Sequence, residues 1–300
     1  MIFTEYSYKT LAAKVDLLGE DDLLKRIFVP VDFSDCSDNA IRYAVAIAIR
    51  TGAEIFLFNS VQVPLQAAEM ATYPLDALEK EAAHRIGNLA QEITTWLDKE
   101  RFRKLKVHHQ VAIGFAAEEI ALKAKAMEAD LVVMGTRGTG AIEGMILGSN
   151  ASSVVQNVTC PVLVVPEDAE FHGFDRIAYA SDMHEVNAKA IQTLVHFASH
   201  FHSEINVLHI LTKADELSTE QANSFREQFK KVAKYGKVSF HIAYAEDKSV
   251  ATMIEEFMDS NAVEIVAMVT HHRSFFDKLF HPSLTRRLTV HARKPLLAFH

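Results

Sequence analysis

Residues 130–150 read DLVVMGTRGTGAIEGMILGSN, an apolar run that breaks at Gly135 and passes Gly138, Gly140, Gly144 and Gly148 before Ser149 and Asn150. Five of the 11 glycines fall in this one stretch, although average usage of roughly 7% would supply about 21 to a chain of this size. An apolar run that ends in glycine and leads to a serine-started segment reads as a strand, a loop and a helix N-terminus. Bare backbone N–H groups at such a terminus form an anion site, and phosphate suits it. Glycine is needed there because a Cβ would hold the chain away from phosphate oxygens. The stretch contains no G-x-x-x-x-G-K, so it is not a P-loop. It is not G-x-G-x-x-G either, because Gly138 and Gly140 are followed by Glu143 at the third glycine position. What remains is G-x2-G-x9-G-S/T, carried by Gly135, Gly138, Gly148 and Ser149.

Outward from this loop, short β-rich runs alternate with helix-length segments, the pattern of a parallel sheet covered by helices on both faces. The first half gives strands over 27–31, 54–59, 106–112, 131–134 and 162–165. Ser34 or Ser37 caps the first helix, Ile41, Ala44, Val45, Ala48 and Ile49 form its apolar stripe, and Gly52 sits where a left-handed residue ends it. Pro74 starts a long helix whose stripe is Leu75, Leu78, Ala82, Ile86, Leu89, Ile93 and Leu97, with Trp96 read as core packing. Ala116 to Ala129 makes a third helix.

The second half repeats this order. Arg26 to Asp32 matches Arg176 to Asp182, and Ala53-Glu54-Ile55 matches Ser203-Glu204-Ile205, both 150 positions on. Asp130 to Thr136 matches Glu264 to Thr270, and Cys160-Pro161-Val162-Leu163 matches Lys294-Pro295-Leu296-Leu297, both 134 positions on. The second copy is therefore shorter, and the fall in offset places the loss in its second crossover and long helix. The boundary falls in Pro166-Glu167-Asp168-Ala169-Glu170, too short for a flexible tether. In the second copy Val269 stands for Gly135, His272 for Gly138 and Pro282 for Gly148, while Ser283 matches Ser149. Side chains now occupy the phosphate space, so this copy is not expected to hold phosphate in the same manner. Asp182 without its glycine partners reads as a helix-capping residue.

Composition narrows the class. With 39 acidic against 31 basic residues and a net charge of -8, no basic excess favours nucleic acid or an anionic membrane. No window approaches a membrane span. Two cysteines make no disulfide framework, which suits a reducing cytoplasm. Cys36 reads as a small core residue. His271, His272 and His281 sit in the second copy's loop, but adjacent histidines point apart on any regular element and no acid or cysteine stands at ligand spacing. No metal site is expected from them. Leu11 to Leu24 has the alternation of a short amphipathic helix.

The glycine spacing after the fourth strand, the opening Val29-Pro30-Val31-Asp32-Phe33-Ser34 and the closing Cys160 to Val165 resemble the universal stress protein family in its tandem form. The resemblance runs from Lys25 to Phe299. It implies two tandem five-stranded parallel-sheet α/β domains of Rossmann-like, adenine-nucleotide-binding type, each with strand order 3-2-1-4-5. The expected layout is an N-terminal extension over 1–24, a first domain over 25–168 with the ATP motif, and a second over 169–300 with a degenerate motif. Carried over by position, the resemblance puts adenine near Pro30 and Val31 and the adenosine moiety on Asp32. Ser60 falls where the family often has valine. Met134 and Gly135 line the adenosine side, and Arg137, Gly138, Gly148, Ser149 and Asn150 hold the phosphates. In that order strands one and four leave in opposite directions, and ligands bind in the crevice at their carboxyl ends. The resemblance further implies that the final strands meet across a pseudo-two-fold axis, so that one chain is an internal pseudo-dimer whose strand edges can join a second chain.

The expected role is a cytoplasmic, ATP-binding stress-response regulator with nucleotide, with or without magnesium, in the first domain only. The alternative is an interaction module whose second domain binds a partner or another ligand. The loop has no lysine and no paired carboxylates, and Glu143 is its one acid, so turnover is not the expected role beyond slow hydrolysis or autophosphorylation at Ser149, Ser152 or Ser153. Adenylyl transfer is disfavoured because the chain has neither S-G-G-x-D-S nor H-I-G-H.

Overall fold

A computed structural model describes residues 24–62, 75–102, 104–136, 148–183, 185–212, 217–269 and 294–299. The expectations that fall on 11–23, Pro74, Arg137, Gly138, Glu143, His271, His272, His281, Pro282 and Ser283 lie outside them. The described residues divide into two units between Asp168 and Ala169.

The first unit runs β1 (Arg26–Pro30), α1 (Asp35–Thr51), β2 (Glu54–Val61), α2 (Leu75–Lys99), β3 (Val107–Ile113), α3 (Ala116–Ala126), β4 (Leu131–Gly135), α4 (Ser149–Asn157) and β5 (Val162–Val165). Its strands are all parallel in the order β3-β2-β1-β4-β5, as the resemblance implies. In β1, Ile27, Phe28 and Val29 are all buried, as expected of a central parallel strand covered on both faces. Ser34 is the α1 cap: its side chain accepts from Ser37 N–H, and Gly52 ends the helix at φ 78°. The five expected stripe residues are buried, and so are Ala40, Ala46 and Ile47. Alanines at 40, 44, 46 and 48 keep the helix surface thin, while each buried Ile or Val adds about 1.5–3 kcal/mol.

Three expectations about helices need correction. In α2 the buried stripe is Ala82, Ile86, Leu89, Ile93 and Leu97, whereas Leu75 at its start is exposed and Leu78 only half-buried. Trp96 is half-buried too, because it stands off the flank of the stripe that Ile93 and Leu97 define. The third helix stops at Ala126, since Glu128 turns left-handed at φ 49° and Ala129 N–H reaches back to Ala124 O.

The second unit runs β6 (Arg176–Ala180), α5 (Ala188–Phe201), β7 (Glu204–Leu211), α6 (Thr219–Ala233), β8 (Val238–Tyr244), α7 (Val250–Ser260), β9 (Ile265–Val269) and β10 (Leu296–Phe299). Its order is β8-β7-β6-β9-β10, again parallel throughout. Strand register refines where the two copies differ in length. Ile55 pairs Val107 and Ile205 pairs Val238, so the offset has fallen from 150 to 131 at the third strand. The second crossover thus loses more than the final difference in length, in keeping with 25 residues in α2 against 15 in α6. Three residues return before the next helix, where Ala245 to Ser249 replaces the pair Gly114-Phe115.

An acidic residue ties the foot of each sheet. Asp130 Oδ2 accepts from the N–H groups of Lys25 and Arg26, both at 2.8 Å, and Glu264 Oε2 accepts from Arg176 N–H at 2.7 Å. Burial pushes the Glu264 carboxyl above its ordinary pKa. Asp130→Ala strips two partly hydrated donors of their acceptor and is expected to lower stability by about 1 kcal/mol, read as a lower denaturant midpoint. An unchanged midpoint would show that water replaces the carboxylate at no cost.

Candidate functional site

The site begins where β1 stops. Val31 N–H donates to Phe58 O at 2.7 Å, and Asn59 Nδ2, buried in the neighbouring strand, donates to Val31 O at 2.7 Å. Pro30 and Val31 are therefore held at the carboxyl end of the strand. Asp32 Oδ1 accepts from Ser34 N–H at 3.1 Å and Ser34 Oγ–H at 2.6 Å, and Ser34 Oγ accepts from Ser37 N–H at 3.2 Å. One carboxylate thereby organises both the turn and the helix cap. Phe33 takes φ 62° within this turn, a conformation that costs a non-glycine residue about 1 kcal/mol or more. The guanidinium of Arg85, from α2, lies 4.0 Å above the Phe33 ring, a contact worth about 0.5–1 kcal/mol at an exposed position. Ser60 Oγ donates to Gly114 O at 2.8 Å. Its hydroxyl hydrogen is engaged, so its oxygen is left to act as an acceptor.

Adjacent strand β4 ends beside it. Met134 is buried, and a Cβ on Gly135 would stand 2.9 Å from the carbonyl carbon and Cβ of Cys36 in α1. The first turn of α1 therefore requires this glycine, whatever a ligand needs. Cys36 is a core residue, its Sγ 3.3 Å from Thr136 Oγ1. Thr136 N–H donates to Val165 O at 3.0 Å, and Thr136 O accepts from Gly148 N–H at 2.7 Å. That last bond sets the start of α4 at the end of β4.

Helix α4 begins without a capping side chain, its N-cap being Gly148. Serine or asparagine oxygens accept an amide at the starts of α1, α5, α6 and α7, while α3, also without a side-chain cap, carries Glu118 and Glu119 in its first turn. Among the helices whose N-cap is described, α4 is the one with neither a capping side chain nor a first-turn acid. Its sequence, SNASSVVQN, holds no charge at all. The first-turn amides and the positive end of the dipole, equivalent to roughly half a charge, are left for an anion. Ser149 and Asn150 are exposed there. Of the expected residues, Pro30, Val31, Asp32, Met134, Gly135, Gly148, Ser149 and Asn150 thus come to the carboxyl ends of two adjacent strands, with Ser60 one strand over.

The second unit keeps one wall of this arrangement and alters the other. Ser181 N–H donates to Leu208 O at 3.0 Å, His209 Nδ1–H donates to Ser181 O at 2.8 Å, and Met183 takes φ 56°. His209 thus does the work of Asn59, its counterpart 150 positions earlier. The expectation that Asp182 caps the following helix is wrong. Helix α5 starts at Ala188 and is capped by Asn187, whose Oδ1 accepts from Ala190 N–H at 3.0 Å. By the same offset, that start lies three residues later than in α1. The helical turn that forbids a side chain at Gly135 therefore has no equivalent in the second unit, where Val269 takes the glycine's place.

Asn59, Arg85 and Thr136 were not marked out by the sequence. Asn59 left a trace, a polar residue inside a β-rich run. Arg85 left none, because nothing local marks a helix arginine that meets an aromatic ring so far away in sequence.

The model of the universal stress protein family matches residues 24–166 and again 173–300. Universal stress protein MJ0531 of Methanocaldococcus jannaschii is 34% identical over 152 residues, covering 48% of this chain and 84% of its own. Universal stress protein G of Escherichia coli O157:H7 is 32% identical over 150 residues, covering 48% and 99%. A solved universal stress protein from Archaeoglobus fulgidus has a TM-score of 0.67 at 16% identity, covering 93% of this chain and 97% of its own, which shows likeness of fold.

Gly135→Ala is expected to lower stability by about 1–3 kcal/mol, because the added methyl meets backbone that cannot move aside. Thermal unfolding followed by circular dichroism checks this; an unchanged midpoint would mean that α1 can give way to a side chain at this position.

Proposed function

Because the chain belongs to the universal stress protein family and carries two of its domains in tandem, we propose that it is a stress-response regulator that holds ATP in its first unit only. The observation that carries this reading is the start of α4, with uncapped amides, no charge, and a place fixed at the end of β4 by the bond from Gly148 to Thr136. In this reading the amides of the first turn, with Gly148, Ser149, Asn150, Gly138 and Arg137, take the phosphates. Pro30, Val31, Asp32, Ser60, Met134 and Gly135 take the adenosine. Asp32 enters already aligned by Ser34, and the oxygen of Ser60 accepts.

Phosphate bound in this way gains from fixed dipoles, about 0.3–1 kcal/mol for each exposed helix-end contact and more where water is excluded. Arginine at 137 adds a charge-assisted contact. Among the described residues no group of three acidic, histidine or cysteine side chains could hold a metal ion. Magnesium, when bound, would supply positive charge to offset that of the phosphates. Binding without an activated water fits a switch better than an enzyme. No helix of the described residues is long and apolar enough to cross a membrane. The proposed setting is cytoplasmic.

The second unit is proposed to lack this function, since Val269, His272 and Pro282 stand for three of the phosphate-loop glycines and α5 starts late. Equilibrium dialysis with labelled ATP is expected to find about one nucleotide per chain, from the single intact motif, and none after Gly138→Val in a protein that keeps its circular dichroism. Two nucleotides per chain would refute the asymmetry. None in the unaltered protein would leave the interaction-module reading.

A further inference from the structure

The residues that set the start of α4 are joined by an unbroken set of contacts to the chain that leads out of the first unit. Gly148 N–H donates to Thr136 O at 2.7 Å, and Thr136 N–H donates to Val165 O at 3.0 Å at the end of β5. Cys36 Sγ contacts Thr136 Oγ1 at 3.3 Å and Val165 O at 3.8 Å, from the same helical turn that Gly135 abuts. One turn along α1, buried Asn39 donates through Nδ2 to Pro166 O at 2.7 Å and to Glu167 O at 3.2 Å. Pro166 and Glu167 are the first residues after β5, and the division between units comes after Asp168.

From this continuity we infer that the first unit's site is coupled to the connecting segment, with Asn39 as the clamp through which occupancy is passed on. The inference rests on the nucleotide reading above and names how that site is regulated. Asparagine suits the task, because its amide nitrogen carries two N–H donors, enough for two successive carbonyls. The buried Pro166 carbonyl left without a donor is costly, which favours a clamp that is closed on it or opened with the whole segment. Ligand at the start of α4 restrains Gly148 and Thr136, hence Val165 and the Cys36 turn, and so favours the closed clamp. Coupling is reciprocal: whatever factor ATP adds to closure, closure adds to ATP affinity.

Hydrogen–deuterium exchange of the full chain, with and without saturating ATP, measures this coupling on peptides that cover Leu163 to Glu170. ATP is expected to slow exchange there about threefold or more, as when a local opening is suppressed. In Asn39→Ala the segment exchanges faster and ATP no longer slows it, while dialysis at saturating ATP still finds the nucleotide bound. Asn39→Ser serves the same purpose if the alanine protein fails to fold by circular dichroism. Bound ATP without slower exchange in the unaltered chain overturns the inference and leaves the nucleotide reading intact, and so does an equal ATP effect in the Asn39 variants. No ATP bound to the unaltered chain overturns both.

Discussion

Where β4 ends, the chain passes so close to the first turn of α1 that a Cβ on Gly135 would meet the backbone of Cys36 at 2.9 Å. This approach fixes much of the first unit's carboxyl edge. It lets Thr136 come next with its side chain on Cys36 and its backbone between Val165 and Gly148. It leaves the start of α4 tied to the end of β4, the strand that pairs with the one Asp32 follows. A parallel sheet brings the ends of β1 and β4 together; the missing side chain decides how tightly the connections above them can close.

The second unit is free of that constraint. Val269 occupies the glycine position, and α5 begins three residues late on a new cap, Asn187. The wall formed by the first two strands did not change with it. Asn59 and His209 hold equivalent carbonyls, and Phe33 and Met183 share the same left-handed turn. Backbone geometry that belongs to the sheet persisted, whereas geometry tied to the absence of a side chain did not. The substitutions at the positions of Gly138 and Gly148 run in the same direction, each putting a side chain where the first copy has none.

Much of this was legible beforehand, for identifiable reasons. Parallel strands covered on both faces need continuous apolar runs, so β1, β4 and β5 announced themselves. Gly52 and the alanine-rich stripe of α1 announced the first helix and its end. Errors arose where a residue's role depended on something distant. Asp182 read as a cap because Asp32 stands at the same offset, but the helix it was to cap had moved. Trp96 read as core by type, although its angle on α2 puts it at the flank. Register was needed to see that the second crossover lost more than the final difference in length and that three residues returned in the next.

By itself the sequence determined the class of fold, the duplication and the place of the glycine loop, because periodicity, internal offset and glycine spacing are local properties of the chain. The tertiary structure decided which of those residues do structural work. Gly135 clears a helix from another crossover, Asp32 and Ser34 lock one turn, Arg85 covers Phe33, and Asn39 holds the segment after β5. Each of these joins groups separated in the chain or set by a turn's own dihedrals. The contacts of Gly135, Arg85 and Asn39 exist only once the strands have aligned, so no local pattern could have announced them.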